Sequence, residues 1–259
     1  MNLNLSGKNA LVCGSTQGIG KATAIELALL GANVTLLARD ENKLKATLAE
    51  LSTSNNQMHS YLIADFSEPE QLKTVLKKIV NPIHILINNT GGPPPGHALD
   101  ATTEAFVSAF SNHLLCNHIL VQGLVPGMKN ENYGRIINVI STSVKIPIKG
   151  LGVSNTTRGA VASWAKTLSH ELAPFGITVN NVLPGASMTG RLKAVIQANA
   201  DRSGKTFEEA QQAMTAEIPA GRISEPDEVA SLIAFLSTPA AGYINGTSIP
   251  VDGGRTGAI

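Results

Sequence analysis

Three glycines near the start of the chain have the spacing of a phosphate-binding turn. The segment from Ala10 to Gly20 reads ALVCGSTQGIG, in which a short apolar run gives way to glycines. Glycine lets the backbone turn sharply, lets a diphosphate approach the main chain, and lets the next helix pack close to its strand. The anion would then bind the unpaired N–H groups of the helix. We therefore predict a dinucleotide-binding turn made by Gly14, Ser15, Thr16, Gln17, Gly18, Ile19 and Gly20.

The elements around this turn complete a β-α-β unit. Leu11 and Val12 supply a strand, residues 21–30 a helix that ends at Gly31, and residues 33–38 a second strand. This β-α-β unit has the length that is typical of the units that contain a dinucleotide-binding glycine turn.

Strands and helices alternate along the rest of the chain. Further strands are predicted at 59–64, 84–88, 135–140, 176–182 and 248–251, with helices at 41–51, 68–80, 103–128 and 159–173 between them. This alternation predicts an α/β fold with a Rossmann-type, doubly wound, seven-stranded parallel sheet. Ligands of such sheets bind beyond the carboxyl ends of the strands. The unusual residues cluster at those ends: Gly14, Arg39, Asp65, Asn89, Ser141 and Pro184.

Composition restricts the classes of function. The 259 residues are 43% hydrophobic, enough for a large core, and no linker or charge block divides them, so we expect one domain over 1–259. Lys plus Arg (20) nearly balance Asp plus Glu (19), which gives no reason to expect nucleic acid or a membrane as partner. Without a leader or a long apolar run, a cytoplasmic protein is expected. Cys13 and Cys116 lack metal-ligand spacing, so we expect a reduced compartment and no metal.

The residue after the second strand indicates the type of dinucleotide. An acidic residue about 20 positions after the glycines would bind a ribose 2′-hydroxyl, whereas an arginine would accept a 2′-phosphate. Ala38 and Arg39 stand there. Guanidinium matches phosphate in two-point geometry, which favours NADP(H). The competing acid, Asp40, is interpreted as the N-cap of the helix at 41–51.

Several motifs in order resemble one enzyme family. The chain contains GSTQGIG (14–20), ADF (64–66), NNTG (88–91), GRIINVIS (134–141), GITVNNVLPG (176–185), IPAGR (218–222), PDEVA (226–230) and VDGG (251–254). Over nearly its whole length it resembles short-chain dehydrogenases/reductases of the 3-oxoacyl-carrier-protein-reductase-like group. The resemblance implies a homotetramer or homodimer and a helical substrate lid at about 187–218. It also implies three contact regions: Asp65 and Phe66 beside the adenine, Asn89, Thr90 and Gly91 beside the ribose, and Pro184, Gly185, Ser187 and Thr189 at the nicotinamide.

The reaction centre departs from that family. The family uses a tyrosine, a lysine four residues later, a serine and an asparagine. Ser141 stands at the serine position, but Ser154 and Arg158 stand at those of tyrosine and lysine, and His113 at that of asparagine. No Tyr-x-x-x-Lys spacing occurs, because the residues four after Tyr61, Tyr133 and Tyr243 are Asp65, Ile137 and Thr247.

These exchanges change how a proton could reach the substrate. A serine hydroxyl is not an acid comparable to tyrosine, and Arg158 can hold ribose hydroxyls but cannot pass protons on. His113, with an ordinary pKa of about 6.5, is one candidate donor, and water relayed through Ser154 and Ser141 is another. His113 could equally be a structural helix residue. Asn112 would face elsewhere, because one helical step turns a side chain by about 100°, unless the helix is bulged.

Two further features could shape a substrate pocket. The loop 91–97 could wall the pocket with His97 reaching inward, or could be a surface loop whose path its prolines fix. Arg191 in the lid could pair with a substrate carboxylate or phosphate, although a solvated charge is the favoured interpretation.

Two functional hypotheses follow. The first is an NADP(H)-dependent oxidoreductase that moves hydride between nicotinamide and a small carbonyl or alcohol substrate, with 3-oxoacyl ketones suggested by the resemblance and with atypical proton delivery. The alternative is a catalytically silent NADP(H)-binding protein that acts as a redox sensor or partner subunit.

Overall fold

Seven parallel strands form one sheet at the centre of the protein, in the order β3-β2-β1-β4-β5-β6-β7. The computed structural model describes residues 1–258. The strands are β1 (Asn9–Cys13), β2 (Asn33–Ala38), β3 (Ser60–Ile63), β4 (Ile85–Asn88), β5 (Gly134–Val139), β6 (Ile177–Pro184) and β7 (Ser248–Val251). This order confirms the predicted doubly wound parallel sheet, with the strand order reversing between β1 and β4.

Helices cover both faces of the sheet. They are α1 (Gly18–Leu29), α2 (Glu41–Leu48), α3 (Pro69–Leu76), α4 (Thr103–Phe110), α5 (Cys116–Asn130), α6 (Gly152–Leu172), α7 (Gly190–Ser203), α8 (Phe207–Thr215) and α9 (Pro226–Leu236). One apolar core lies between the sheet and α1 with α9, and a second between the sheet and α3, α5 and α6. Because both faces are covered, every residue of β4 and β5 is buried. Among residues 1–258, no helix has the length and apolar character needed to cross a bilayer.

A row of side-chain amides joins four strands. Asn88 donates to Asn138 at 2.9 Å, Asn138 to Asn181 at 3.0 Å, and Asn181 to Ser248 at 3.0 Å. Buried amides need such partners, since an unpaired one would lose its hydrogen bonds to water without replacement. The row lies toward the carboxyl ends of β4, β5 and β6 and fixes that edge of the sheet.

Local predictions hold best where the pattern is simple. The structure confirms β2 at Asn33–Ala38 as predicted, and Asp40 caps α2 by accepting the Lys43 N–H at 3.1 Å. The start predicted for the helix at 159–173 is wrong, because α6 begins seven residues earlier, at Gly152. Gly159 and the polar residues before it are poor helix formers, but packing of their helix overrides that preference. Ser154 and Arg158 consequently lie on α6.

The long helix predicted through 103–128 is helical throughout, but its α-helical hydrogen-bond register is interrupted. A π-helical segment, Ser111–Leu115, separates α4 from α5. Such a segment bulges the helix and changes which side chains face one direction. The bulge lies at the position where the chain carries Asn112 and His113.

Candidate active site

The glycine turn between β1 and α1 is closed by two residues from distant parts of the chain. Gly14 has a φ of +59°, and a Cβ placed on it would lie 2.5 Å from the carbonyl oxygen of Asn89. Gly18 has a φ of +55°, and a Cβ there would lie 2.9 Å from the Thr189 methyl group. A Cβ on Gly20 would collide with the Gly14 carbonyl. Each of the three positions therefore requires glycine.

The N-terminus of α1 leaves its first-turn amides free for an anion. Gln17, the N-cap residue, makes no side-chain capping bond. A Cβ on Gly91 would meet nothing within 4 Å, so the cleft beside the turn is open. Ser15 is buried and Ile19 packs against the core, which holds the turn in place, while Thr16 is half-buried. A tight turn, free helix amides and adjacent open space together fit a bound diphosphate.

Arg39 and Asp65 lie together at the carboxyl ends of β2 and β3. Arg39 Nη1 is 3.7 Å from Asp65 Oδ2, and the Arg39 side chain is 79% exposed. The pKa of Asp65 is lowered, first because its carboxylate accepts the Ser67 N–H at 2.9 Å and then by the charge of Arg39. Phe66 packs against the second core. The guanidinium is thus free to move to a larger anion beside the predicted adenine position.

Asn89 ties the end of β4 to the end of β1. Its side-chain amide donates to the carbonyls of Cys13 at 3.2 Å and Gly14 at 3.3 Å. This amide shapes the glycine turn itself, a positioning contact that the sequence does not reveal.

The half-buried Thr90 and the buried His113 form a pair above the sheet edge. Thr90 Oγ1 and His113 Nδ1 are 2.6 Å apart, and His113 is 2% exposed. Burial, and then the charges of Arg158 and Arg191, lower the pKa of His113 to about 3. With a pKa of about 3 the ring is uncharged at neutral pH, which favours the structural interpretation of His113 over that of a proton donor. Asn112 faces the same cavity as His113, because the π-helical segment bulges the helix.

Arg158 reaches from α6 to the ends of β4 and β5. Its Nη1 donates to the Val139 carbonyl at 3.0 Å and its Nη2 to the Thr90 carbonyl at 3.4 Å. The residue is 8% exposed. Burial and then the charge of Arg191 lower the pKa of Arg158 to about 10, so it remains charged at neutral pH. A buried cation therefore lies at the predicted ribose position.

Two serines predicted for catalysis lie on the elements that position this cation, one just after β5 and one on α6. Ser141 lies two residues after the end of β5, and its Oγ accepts the Ser143 N–H at 3.1 Å, which leaves the hydroxyl proton free to be donated. Ser154 is buried on the first turn of α6, and its hydroxyl makes no hydrogen bond within residues 1–258. Ser141 and Arg158 therefore both lie at the carboxyl end of β5, and Ser154 precedes Arg158 by one turn of α6.

The predicted nicotinamide segment follows β6. The Gly185 N–H donates to the Val251 carbonyl at 2.9 Å, and Pro184 ends β6. Ser187 is buried and its Oγ has no partner within the described residues, whereas Thr189 caps α7 by accepting the Leu192 N–H at 3.3 Å. An unpaired buried hydroxyl here fits a polar ligand group.

A cavity of about 440 Å³ lies between loop 91–97 and α4 with the π-helical segment. Its wall includes His97, which lies in the exposed loop, and the buried His113. Arg191 is exposed to solvent, as the favoured interpretation expects, but its guanidinium is also tied to loop 91–97. Its Nη1 donates to the Gly92 carbonyl at 2.5 Å and its Nη2 to the Pro93 carbonyl at 2.8 Å.

A family model described as enoyl-(acyl carrier protein) reductase matches residues 14–256. The chain belongs to the short-chain dehydrogenase/reductase family. Its members are oxidoreductases, and the match covers the glycine turn, the sheet edge and the lid together. The resemblance inferred from the motifs is therefore confirmed.

Named relatives of this family align over almost the entire chain. The 3-oxoacyl-[acyl-carrier-protein] reductase FabG of Vibrio cholerae is 33% identical over 97% of this chain and 98% of its own length. L-sorbose reductase of Gluconobacter frateurii, solved with NADPH and L-sorbose, has a TM-score of 0.93 at 28% identity and full coverage of both chains. YwfH, an NADPH-dependent reductase of bacilysin biosynthesis, has a TM-score of 0.92 at 27% identity, covering 98% of this chain and all of its own.

Within this family fold, two contacts of the site could not be read from the sequence. Thr90 and His113 are 23 residues apart, and Arg191 and Gly92 are 99 apart. Neither pair has a motif or a fixed spacing. The one signal in the sequence is the position of Arg191, a charged residue two positions after Thr189 at the end of the predicted cofactor segment.

Proposed function

We propose that this protein is an NADP(H)-dependent oxidoreductase that transfers hydride between the nicotinamide and a small carbonyl or alcohol substrate. One observation carries the proposal: Ser141 and Arg158 lie at the same sheet edge as the glycine turn, so a dinucleotide bound there would end beside them. Two similar structures are described as NADPH-dependent or NADPH-bound. These are the properties of relatives, and they support the same cofactor here.

The proposed cofactor contacts run along the sheet edge. The turn 14–20 and the amides of α1 would hold the diphosphate, and Asp65 with Phe66 would lie beside the adenine. Arg39 would turn from Asp65 to the ribose 2′-phosphate, because phosphate offers it a two-point, doubly charged partner. The remaining contacts would come from Asn89, Thr90, Gly91 and Arg158 at the ribose and from Pro184, Gly185, Ser187 and Thr189 at the nicotinamide.

The chain's own groups would stabilise charge on the reacting oxygen. When bound, the nicotinamide supplies hydride to a carbonyl carbon or accepts it from an alcohol carbon. During reduction the substrate oxygen becomes negative, and the free hydroxyl proton of Ser141 can be donated to it. The buried charge of Arg158 stabilises that oxygen further, because charges interact more strongly away from bulk water.

We propose water as the ultimate proton source. The low pKa of His113 leaves no imidazolium to donate at neutral pH. Arg158 remains charged and retains its protons. The unpaired hydroxyl of Ser154 and the donor hydroxyl of Ser141 can instead pass a proton from water to the oxygen. His113 then has a positioning role through Thr90.

Loss of NADPH absorbance would test this proposal. The protein would be mixed with NADPH and a panel of ketones, 3-oxoacyl thioesters and sugars. Substrate-dependent oxidation is expected. Ser141→Ala should lower kcat about 10- to 100-fold, which is at or below the usual loss when an active site loses one preorganised hydrogen-bond donor. Ser231→Ala, an exposed serine on α9 that bonds only the Asp227 carbonyl, is the matched control.

The same experiment separates the enzyme from the silent-binder alternative. A redox sensor or partner subunit would bind NADPH tightly and oxidise it with no member of the panel. That result would refute the enzymatic proposal while leaving the cofactor assignment intact.

A further inference from the structure

Two arginine head groups lie side by side at the substrate end of the site. A Cβ placed on Gly92 would be 2.9 Å from Arg191 Nη2 and 3.5 Å from Arg158 Nη2, so both guanidiniums flank this glycine. One arginine comes from α6 and the other from the lid helix α7. Residues from two separate elements thus bring two positive charges to one place.

No carboxylate within residues 1–258 balances these charges. The ion pairs of the described structure do not include Arg158 or Arg191, and their hydrogen-bond partners are four backbone carbonyls. Asp100, the one acidic residue on the cavity wall, is exposed and pairs with neither guanidinium. Two adjacent cations held only by carbonyl dipoles are unfavourable, and an anion between them would relieve the repulsion.

Both head groups keep donors for a ligand. A guanidinium carries five N–H groups, and each of these arginines uses two of them on the protein. Arg158 is more than nine-tenths buried, so its remaining donors lack free access to water. The remaining N–H groups of the two guanidiniums therefore match an anion with several acceptor oxygens.

The cavity next to the pair, which is lined by Gly92 but by neither arginine, limits the size and character of the molecule that carries the anion. About 440 Å³ suits a small metabolite, and much of the wall is apolar: Pro93, Pro94, Pro95, Ala101, Ala105, Ala109 and Val153. His113, whose pKa both arginines lower, also lines it. The site therefore fits a short apolar chain that carries an anionic group near the reacting carbon.

We propose that Arg191, assisted by Arg158, binds the carboxylate of a small oxo acid or hydroxy acid, and that this charge is the main feature by which the protein selects its substrate. This inference rests on the proposed function and names its substrate class. In a 3-oxo acid the carboxylate is two bonds from the carbonyl carbon. Arg191 would hold the carboxylate, while Arg158 would lie between it and the oxygen bound by Ser141.

The test compares acids with uncharged partners of the same skeleton. NADPH oxidation would be measured with 3-oxo acids of four to eight carbons, beginning with acetoacetate, and with their methyl esters. The variants are Arg191→Gln, Arg191→Lys and, as a control on the same helix, Arg202→Gln, whose side chain bonds only Asn199. Calorimetry would measure binding of the same acids and esters to the protein saturated with NADP⁺.

We expect the acids to be preferred and Arg191→Gln to raise their KM roughly 10- to 100-fold, the range for one charge-assisted pair. The ester KM should stay within about twofold, and Arg191→Lys should retain part of the preference. If Arg191 only ties the lid to loop 91–97, acid and ester KM will rise together, which overturns the inference.

The experiment gives different results if the carboxylate site is wrong and if the proposed function is wrong. Equal use of acids and esters by the wild type overturns the carboxylate site and leaves the oxidoreductase intact. If no compound is reduced although NADPH binds, the proposed function fails and calorimetry decides the inference. Binding of acids that is lost in Arg191→Gln supports the site, whereas no binding of any acid refutes it.

Discussion

The hydroxyl of Thr90 lies 2.6 Å from Nδ1 of His113, and this contact joins the end of β4 to the π-helical segment. It fixes the orientation of a buried imidazole that faces the cavity. Because Arg158 also donates to the Thr90 carbonyl, Thr90 contacts both the cation and the imidazole of the site. One small residue thereby sets the relative position of two groups that come from different helices.

The buried His113 should make stability depend on pH. Its pKa is about 3 in the folded protein and about 6.5 in the unfolded chain. Between these two pH values the unfolded chain therefore binds more protons than the folded protein. The stability that the neutral His113 contributes to the fold is fully present above about pH 6.5 and is lost as the pH falls toward 3. We expect His113→Asn to lose less stability than wild type between pH 7 and pH 4, by on the order of a few kcal/mol.

Urea unfolding at several pH values would measure this difference. The pKa of His84 is also lowered, by burial first, but His84 is present in both proteins and its effect cancels in the comparison. Parallel stability curves for wild type and His113→Asn would show that His113 is not held neutral.

Arg39 should determine the preference between NADPH and NADH. Its guanidinium is exposed and is weakly held at 3.7 Å from Asp65, so little is lost when it turns to a 2′-phosphate. We expect Arg39→Ala to weaken NADPH binding about 10- to 100-fold, as for loss of a charged hydrogen-bonded pair, with NADH nearly unchanged. Fluorescence titration of both dinucleotides would measure the effect.

Lys43→Ala provides the control for that titration. Lys43 is a nearby exposed cation on α2, 3.7 Å from the Asp40 carboxylate. An equal loss of NADPH affinity in both variants would indicate general charge attraction instead of a specific contact by Arg39.

Glycine substitutions should have opposite effects at two positions. Gly14→Ala adds a Cβ 2.5 Å from the Asn89 carbonyl at a positive φ, so we expect loss of dinucleotide binding and a lower Tm. Gly159 lies on the exposed side of α6, where a Cβ would meet nothing within 4 Å. Gly159→Ala should raise stability by about 0.5–1 kcal/mol, since alanine favours the helix. Calorimetric melting of both variants would measure the two changes, and a stable, NADPH-binding Gly14→Ala protein would contradict the role of the turn.

The sequence predicted what depends on local pattern and missed what depends on packing. The β2 boundaries and the Asp40 cap follow from alternation and from short-range hydrogen bonding, and both are confirmed. The π-helical segment has no propensity signature, because it changes hydrogen-bond register without changing residue type. The contact of Arg191 with Gly92 spans 99 residues and depends on where the lid lies. The pKa of His113 follows from burial, which a one-dimensional pattern cannot give.

The amide row across the sheet should be a large source of stability at the site edge. Asn138 is fully buried, accepts from Asn88 and donates to Asn181. Asn138→Ala leaves two buried amide groups unpaired, each costing about 1–3 kcal/mol, so we expect a loss of about 2–5 kcal/mol in urea unfolding.

Asn130→Ala is the matched control for this row, because Asn130 is exposed at the end of α5 and its side chain makes no hydrogen bond within residues 1–258. Its stability should change by less than about 0.5 kcal/mol. Since the row ends at Asn88, beside the Asn89 amide that closes the glycine turn, Asn138→Ala should also weaken NADPH binding. A destabilised variant with unchanged NADPH affinity would show that the row supports the sheet alone and does not position the cofactor turn.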